Sequence, residues 1–417
     1  MSIHYLAKCL LWPVYRKSSL ITYKSPAIIR AMDKIKGINP SRIFWCCNDL
    51  GVSVEELAHE TDIALATLEK ALEGKEALSV KQLQKLASYF NRGLLFFLED
   101  GPVSEGQVHS VQFRTLNNQK PQLSPRFRAL VERTERQRLT YLSLREELGE
   151  PVDPAWYPEE IAGNAPRPER AAQLARAWLG LQPGQSFAEM RTAVEAKNIL
   201  VFLSNGYAGK WQIPKESPIR GFSLYFDSFP VIFIKKQLSE GAQAFTMMHE
   251  LGHLLLHRES FVDDEDDFYS NSSNEVAANR FAGNLLVPDE FLEVLDLQRF
   301  PADDVTAYDL FLEGYSRRWS VSPEVILRRM TDSGLLPQED YQAYRKWKQS
   351  LPVPERKGSG GARYRFKEPV RVFGKSYVGT VLDALHEQRI TLARASSYLD
   401  NLKIADLRQL EDTHASI

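Results

Sequence analysis

Apolar residues recur at helical spacing along most of the chain and at strand spacing in only three short runs. Residues 39–100 break into a series of short helices. NPSRIFWCCNDL is the first and stops at Gly51. Ser53 and Glu56 make a capping-box pattern that opens SVEELAHET. After Asp62 and Ile63 the stretch ALATLEKAL (64–72) is a third helix, ending at Gly74. Ser79 opens SVKQLQKLASYF, and GLLFFLED closes the unit. Residues 101–123 are loop-rich, and Pro125–Gly149 reads as a charged connecting helix. Beyond the loop Pro151–Pro166, ERAAQLARAWLGL and SFAEMRTAVEAKN are helical. ILVFLSN (199–205), GFSLYF (221–226) and VIFIKK (231–236) are strands, the last two forming a hairpin around Asp227–Pro230. Helices follow at Phe245–His257 and Asn274–Pro288, separated by an acidic loop, FVDDEDDFYSNSS (261–273). DEFLEVL, AYDLFLEGYSRRW and SPEVILRRMTDSG are helical too. Ser320–Met330 could imitate a second helix-turn-helix, but packing is the simpler role for it. LPVPERKGSGG (351–361) is a Pro-then-Gly linker, and 362–417 reads as a small helical module. The pattern predicts an α+β chain, mainly helical, with one small sheet.

The candidate chemistry lies in the helix FTMMHELGHLLLH. His249 and His253 stand at i and i+4, on one face and about 6 Å apart along the axis. Two imidazoles so placed can share one divalent ion. Glu250 lies about 100° round the helix, within reach of a water at that ion without being a ligand. Two His ligands and a carboxylate base on one helix form the layout of a zinc hydrolase. Phe245, Met248, Leu251, Leu254 and Leu255 bury this helix, and buried His and Glu need partners. Gly252 in mid-helix suggests the close approach of another backbone. His257, about 12 Å along the axis from His249, is too far away to share the ion and is read as a neighbour of the site or a surface group. A catalytic tetrahedral site needs a third protein ligand and an open position. Glu275 opens the next helix, where Glu275, Ala278, Asn279 and Ala282 form one stripe of mostly small residues suited to packing on the first. It is the candidate third ligand. Asp263, Asp264, Asp266 and Asp267 are read as a solvated loop with at most a weak calcium contact.

FTMMHELGHLLLH followed by ExxANRFAGNLLVP resembles the ImmA/IrrE metallopeptidases, many of which carry an XRE-type helix-turn-helix in front. The resemblance extends from about Ile38 to Lys348. It implies zinc (Zn2+) bound by His249, His253 and Glu275, with Glu250 as base. It also implies a protein substrate, a repressor or co-encoded regulator of a mobile element, stress response or toxin–antitoxin-like locus. The organisation it suggests is a leader or upstream start at 1–31, an XRE-like helix-turn-helix at 32–104, a connecting helix at 105–150, a zincin-like peptidase domain at 151–350, and the linker with its helical module at 351–417. The rival class is a non-cleaving DNA-binding regulator or antitoxin-like module. The intact Glu250 argues for the enzyme, because a purely structural metal site has no need of a base.

Composition adds exclusions. No apolar run approaches the ~20 residues of a membrane span. The three cysteines, Cys9 and the adjacent Cys46 and Cys47, offer neither a disulfide framework nor a CxxC metal site, which fits a reducing cytoplasm. Residues 1–31 carry five bases and no acid, lack a cleavage site, and make Met32 the expected functional start. The formal net charge is −2, so no overall basic field draws the chain to nucleic acid.

The helix in the recognition position, 64–72, offers Thr67, Glu69 and Lys70 and no Arg, Gln or Asn for bidentate base contacts. Residues 32–100 hold eight bases against eleven acids. DNA contact and protein docking both stay open for this unit. Segment 32–100 is expected to bind DNA weakly and without sequence preference. An anisotropy titration against the upstream region of its own gene checks this, and nanomolar, sequence-selective binding at physiological salt would refute it.

Overall fold

The computed structural model describes residues 34–50, 52–90, 92–103, 115–116, 119, 123–162, 167–205, 210–213, 217–237, 239–264, 272–351 and 364–414. The basic leader with Met32, residues 352–363 of the linker region and residues 265–271 of the acidic loop lie outside them. Packing divides the chain into two units, Met1–Val103 and Ser104–Ile417.

In the first unit, α1 (Pro40–Leu50), α2 (Val54–Thr61), α3 (Leu65–Leu72) and α4 (Val80–Tyr89) are followed by a 3-10 turn at Leu94–Phe97. Of the capping box read at Ser53 and Glu56 only the Ser53 half forms, while Ser79 opens its helix as expected. The Ser53 hydroxyl accepts from the Glu56 N–H, and Ser79 and Gln82 cap each other reciprocally. Ile43, Leu57, Leu68, Leu83, Leu86 and Phe97 form a core of their own. On α3, Leu68 and Ala71 face that core, Thr67 is half-buried, and Glu69 and Lys70 are exposed.

The second unit is built on a four-stranded sheet of order β1-β3-β2-β4. The strands are β1 (Leu200–Leu203), β2 (Ile219–Leu224), β3 (Val231–Ile234) and β4 (Phe261–Asp264). β2 and β3 form the expected hairpin, β1 runs parallel to β3, and β4 pairs antiparallel with β2 as an edge strand. Successive residues of a strand point to opposite faces, and here both faces are covered. Val201, Leu203, Ile232 and Ile234 enter one core; Leu200, Phe202, Phe222, Leu224, Val231, Phe233 and Val262 enter the other. That is why the strands read as unbroken apolar runs rather than an alternation of apolar and polar residues.

The first face receives α6 (Pro168–Leu179), α7 (Phe187–Glu195), α8 (Glu240–Leu256), α9 (Ser273–Leu286), α10 (Tyr308–Trp319), α11 (Pro323–Asp332) and α12 (Gln338–Ser350). Val325, Ile326, Leu327 and Met330 of α11 lie in this core, the packing role expected of 320–330. The second face is covered by α5 (Pro125–Glu147) together with α13 (Glu368–His386), α14 (Leu392–Tyr398) and α15 (Ile404–His414).

Two expectations change here. The charged helix is no mere connector: Phe127, Leu130, Val131, Tyr141 and Leu144 form an inward stripe. Its charge hid that stripe, since Arg138 is buried and donates to the carbonyls of Ser228 and Phe229. The C-terminal helices are likewise no separate module. Phe373, Tyr377, Val378 and Val381 complete the second core, which the apolar strands require.

A buried ion pair joins α7 to β1 and α13. Arg191 Nε donates to Glu195 Oε1 at 2.8 Å, and the guanidinium also reaches the carbonyls of Val201, Arg371 and Val372. Glu195 accepts from the N–H groups of Lys375 and Ser376, just past a break in α13 where Gly374 takes φ 84°. A Cβ at Gly374 would stand 1.9 Å from Glu195 Oε1, so only glycine allows this approach. Removing one partner leaves the other charged and buried. Arg191→Ala should therefore cost about 3–5 kcal/mol of unfolding free energy. Urea denaturation reads it, and a loss below about 1 kcal/mol would show that the pair holds nothing together.

Candidate metal centre

The HExxH helix forms as expected, one turn longer at its start. The Ser239 hydroxyl caps α8 by accepting from the Ala242 N–H, and Leu256 ends it. Nearly the whole helix is buried, His249, Glu250 and His253 completely. The i, i+4 spacing brings His249 Nε2 and His253 Nε2 to 3.0 Å. The second ring nitrogen of His253, Nδ1, lies 3.0 Å from His257 Nδ1. Phe261 stacks on the His253 ring at 4.0 Å between centroids. His257 thus stands behind a ligand candidate and fixes its orientation, without joining the cluster.

Gly252 lets α9 come close. A Cβ there would be 3.3 Å from the Ala278 Cα and 3.0 Å from the Phe281 ring. This close approach puts Glu275, in the first turn of α9, at the imidazoles. Its Oε2 is 3.3 Å from His249 Nε2 and its Oε1 3.6 Å from His253 Nε2.

Asp263 is where the solvated-loop reading fails. Residues 261–264 form β4, and strand alternation sends Val262 into the second core and Asp263 towards α8. Asp263 is fully buried, with Oδ2 3.2 Å from His249 Nε2 and 3.4 Å from His253 Nε2. Ligand atoms of His249, His253, Asp263 and Glu275 all lie within 4.8 Å of one another.

Glu250 stands beside this cluster, under β2. A Cβ on Gly221 would come within 2.5 Å of Glu250 Oε1, so the missing side chain makes its room. Ser223, two residues on and on the same face of β2, is fully buried and also acts on Glu250. Neither carboxyl oxygen of Glu250 has a hydrogen-bond partner of ordinary geometry.

The electrostatics follow from burial and mutual neighbours. Burial, then the adjacent Asp263 carboxylate, pushes Glu250 well above the usual carboxylate range. Burial opposes the charge on Asp263 as well, but His253 and His249 outweigh it and hold that carboxyl well below its usual value. Glu275 is lowered too, its burial offset by hydrogen bonds from the same two rings. Burial disfavours a charged His253, yet Asp263 and Glu275 raise it to about 9, while burial and the charge of His253 lower His257 to about 4.

A divalent cation fits these residues. Two buried imidazole nitrogens face each other, and two carboxylates surround them. Neither oxygen of Asp263 nor Oε2 of Glu275 has a hydrogen-bond donor of ordinary geometry. A set of two nitrogens and two carboxylate oxygens suits zinc and other imidazole-binding metals. Binding such an ion would require both imidazole nitrogens to be unprotonated.

Sequence reasoning missed Asp263, Gly221 and Ser223. A faint signal existed: in FVDD the apolar Val262 precedes Asp263, the alternation of a strand. The amphiphilic pattern was too short to separate from a loop.

Residues 214–331 match the IrrE N-terminal-like domain, Peptidase_M78, and this span holds the whole cluster. The chain is also similar to "Uncharacterized immunity region protein 2" of Bacillus phage phi105, with 33% identity over 97 residues, 23% of this chain. It spans 60% of the length of that relative. The match of residues 214–331 is to a family model of metallopeptidases, and the phage immunity-region relative fits the same ImmA/IrrE family. Among the described residues no helix is long and apolar enough to cross a membrane.

His257→Ala should leave one metal per chain but weaken its affinity about 10–100-fold, the usual effect of losing a group that orients a ligand. Gly221→Ala, which presses on Glu250 rather than on a ligand, should leave affinity nearly unchanged. Competition with a chromophoric chelator measures both. Equal loss in the two variants would contradict this division of roles.

Proposed function

We propose that this chain is a regulatory zinc-dependent endopeptidase of the cytoplasm that cuts a partner protein, most simply a transcriptional repressor or co-encoded regulator. The observation that carries it is the buried cluster of His249, His253 and Glu275 with Glu250 beside it under β2. The family of residues 214–331 and the phage immunity-region relative support a regulatory, peptidase-like role. The first unit, read as an XRE-like helix-turn-helix, would dock DNA or protein, with Thr67, Glu69 and Lys70 as its weak DNA contacts.

His249, His253 and Glu275 would hold the zinc. When bound, the metal supplies a Lewis acid for the scissile carbonyl and makes water acidic enough to be deprotonated near neutral pH. Glu250 would take a proton from water on a carboxylate oxygen and later deliver it to the leaving amine. Burial favours the protonated form of this carboxyl, which suits the second transfer. His257 keeps the His253 ring in place, with Nδ1 engaged and Nε2 facing the cluster. Ser223 and Gly221 provide the space and polarity in which the Glu250 side chain works.

One observation favours the rival, a non-cleaving metal-holding regulator or antitoxin-like module. Asp263 brings the protein donors to four, the number of a closed structural zinc site. Glu250→Gln separates the readings. For a peptidase, zinc content and fold stay nearly unchanged, while cleavage of the natural partner falls about 10²–10⁴-fold. Glu275→Ala should lose most of its zinc. If Glu250→Gln fully complements a deletion strain, the cell does not use catalysis, and the rival stands.

A further inference from the structure

We propose that Asp263 is a displaceable fourth ligand that closes the metal site, so that the chain folds as a latent peptidase opened by withdrawing this one carboxylate. The inference rests on the metal-centre reading above, in which His249, His253 and Glu275 are the permanent ligands.

A peptidase metal needs three protein ligands and one position left for water and substrate. Here four side chains converge. Asp263 Oδ2 is as near to the two imidazole nitrogens, at 3.2 and 3.4 Å, as Glu275 is at 3.3 and 3.6 Å. Asp263 has no exposure to solvent at all. Its place is also beside the base: Asp263 is the cross-strand partner of Gly221, and Glu250 Oε1 lies directly under Gly221.

The two carboxylates differ in what carries them. Glu275 sits on the fourteen-residue helix α9, packed closely on α8 through Gly252, Ala278 and Phe281. Asp263 sits on a four-residue edge strand. Among the described residues β4 pairs with β2 alone, and its register with β2 shifts between Ile219 and Gly221, opposite Asp264 and Asp263. A register shift leaves the ladder locally irregular. On its other side β4 is met by the side-chain amide of Gln119, which donates to the Ser260 carbonyl at 2.8 Å and accepts from the Val262 N–H at 3.4 Å. Moving the end of β4 exchanges a few such bonds and loosens Val262 alone in the second core; moving Glu275 would unpack two helices. An extended segment of the partner protein that pairs with the outer edge of β4 would replace the Gln119 amide and can shift the strand.

The test uses the full chain loaded with cobalt(II) or zinc, and acetohydroxamate as a probe, since this chelator binds only where a coordination position is open. The wild-type chain should hold one metal, show the intense visible cobalt absorption of four tight ligands, and bind acetohydroxamate weakly. Asp263→Asn and Asp263→Ala should both keep one metal per chain. Their cobalt absorption should weaken as water enters and the coordination number rises, and they should bind acetohydroxamate about tenfold more tightly or better. The isosteric Asn variant guards against misfolding by the Ala variant. Unchanged cobalt spectra and unchanged chelator affinity in both would show that Asp263 is not on the metal and overturn the proposal. Loss of metal from both as complete as from His253→Ala would overturn it too, making Asp263 a permanent ligand. A wild-type chain that takes up no metal would instead refute the metal centre itself, and the latch with it.

Discussion

Three carboxylates and two imidazoles share one buried volume, and a low-dielectric interior tolerates charge only where opposite charge or a metal is at hand. Each element around that volume answers to this constraint. α8 supplies two rings at a spacing only a helix gives; α9 adds a carboxylate from its first turn; β4 adds another through strand alternation. The ionisation of each group depends on the rest, as the opposite displacements of Glu250 and Asp263 show. A cation in the cluster would satisfy the ring nitrogens and carboxylate oxygens together and leave Glu250 as the group beside it.

Close approach is bought with small residues. Gly252 admits α9, and Gly221 admits the Glu250 carboxylate beneath β2. Both glycines act through what they lack. In each case the first clash of an added Cβ would be with a group at or next to the cluster: Phe281 and Ala278 on α9, or Glu250 itself. The metal-centre geometry thus depends on main-chain proximity that larger side chains would abolish.

The helix with HExxH, the helix carrying Glu275, the β2–β3 hairpin and the caps at Ser53 and Ser79 were all legible in the sequence, because each rests on local spacing or local hydrogen bonding. Asp263 was not, since its role depends on a four-residue strand pairing with β2, and such pairing leaves almost no local trace. Nor was the destination of the C-terminal helices. Their sequence shows amphipathic helices after a flexible-looking stretch, while the face they cover belongs to strands more than 100 residues earlier. Arg138 concealed α5 in a similar way, as a charged residue turned inwards to satisfy two carbonyls. Long-range complementarity decided these three, and local pattern the others.

The covering of the sheet by α13–α15 has a consequence in time. A ribosome releases β1, β2, β3 and the HExxH helix well before residues 368–414 exist. Until those residues emerge, Phe202, Phe222 and Phe233 lack part of their cover, and of the helices in that core only α5 shields that face of the strand bearing Gly221. A core that needs distant segments assembles late in synthesis. A nascent chain therefore carries the histidines before the second core behind β2 and β4 is complete. Messages truncated before this stretch would yield chains whose second core stays incomplete, even with every residue of the cluster present.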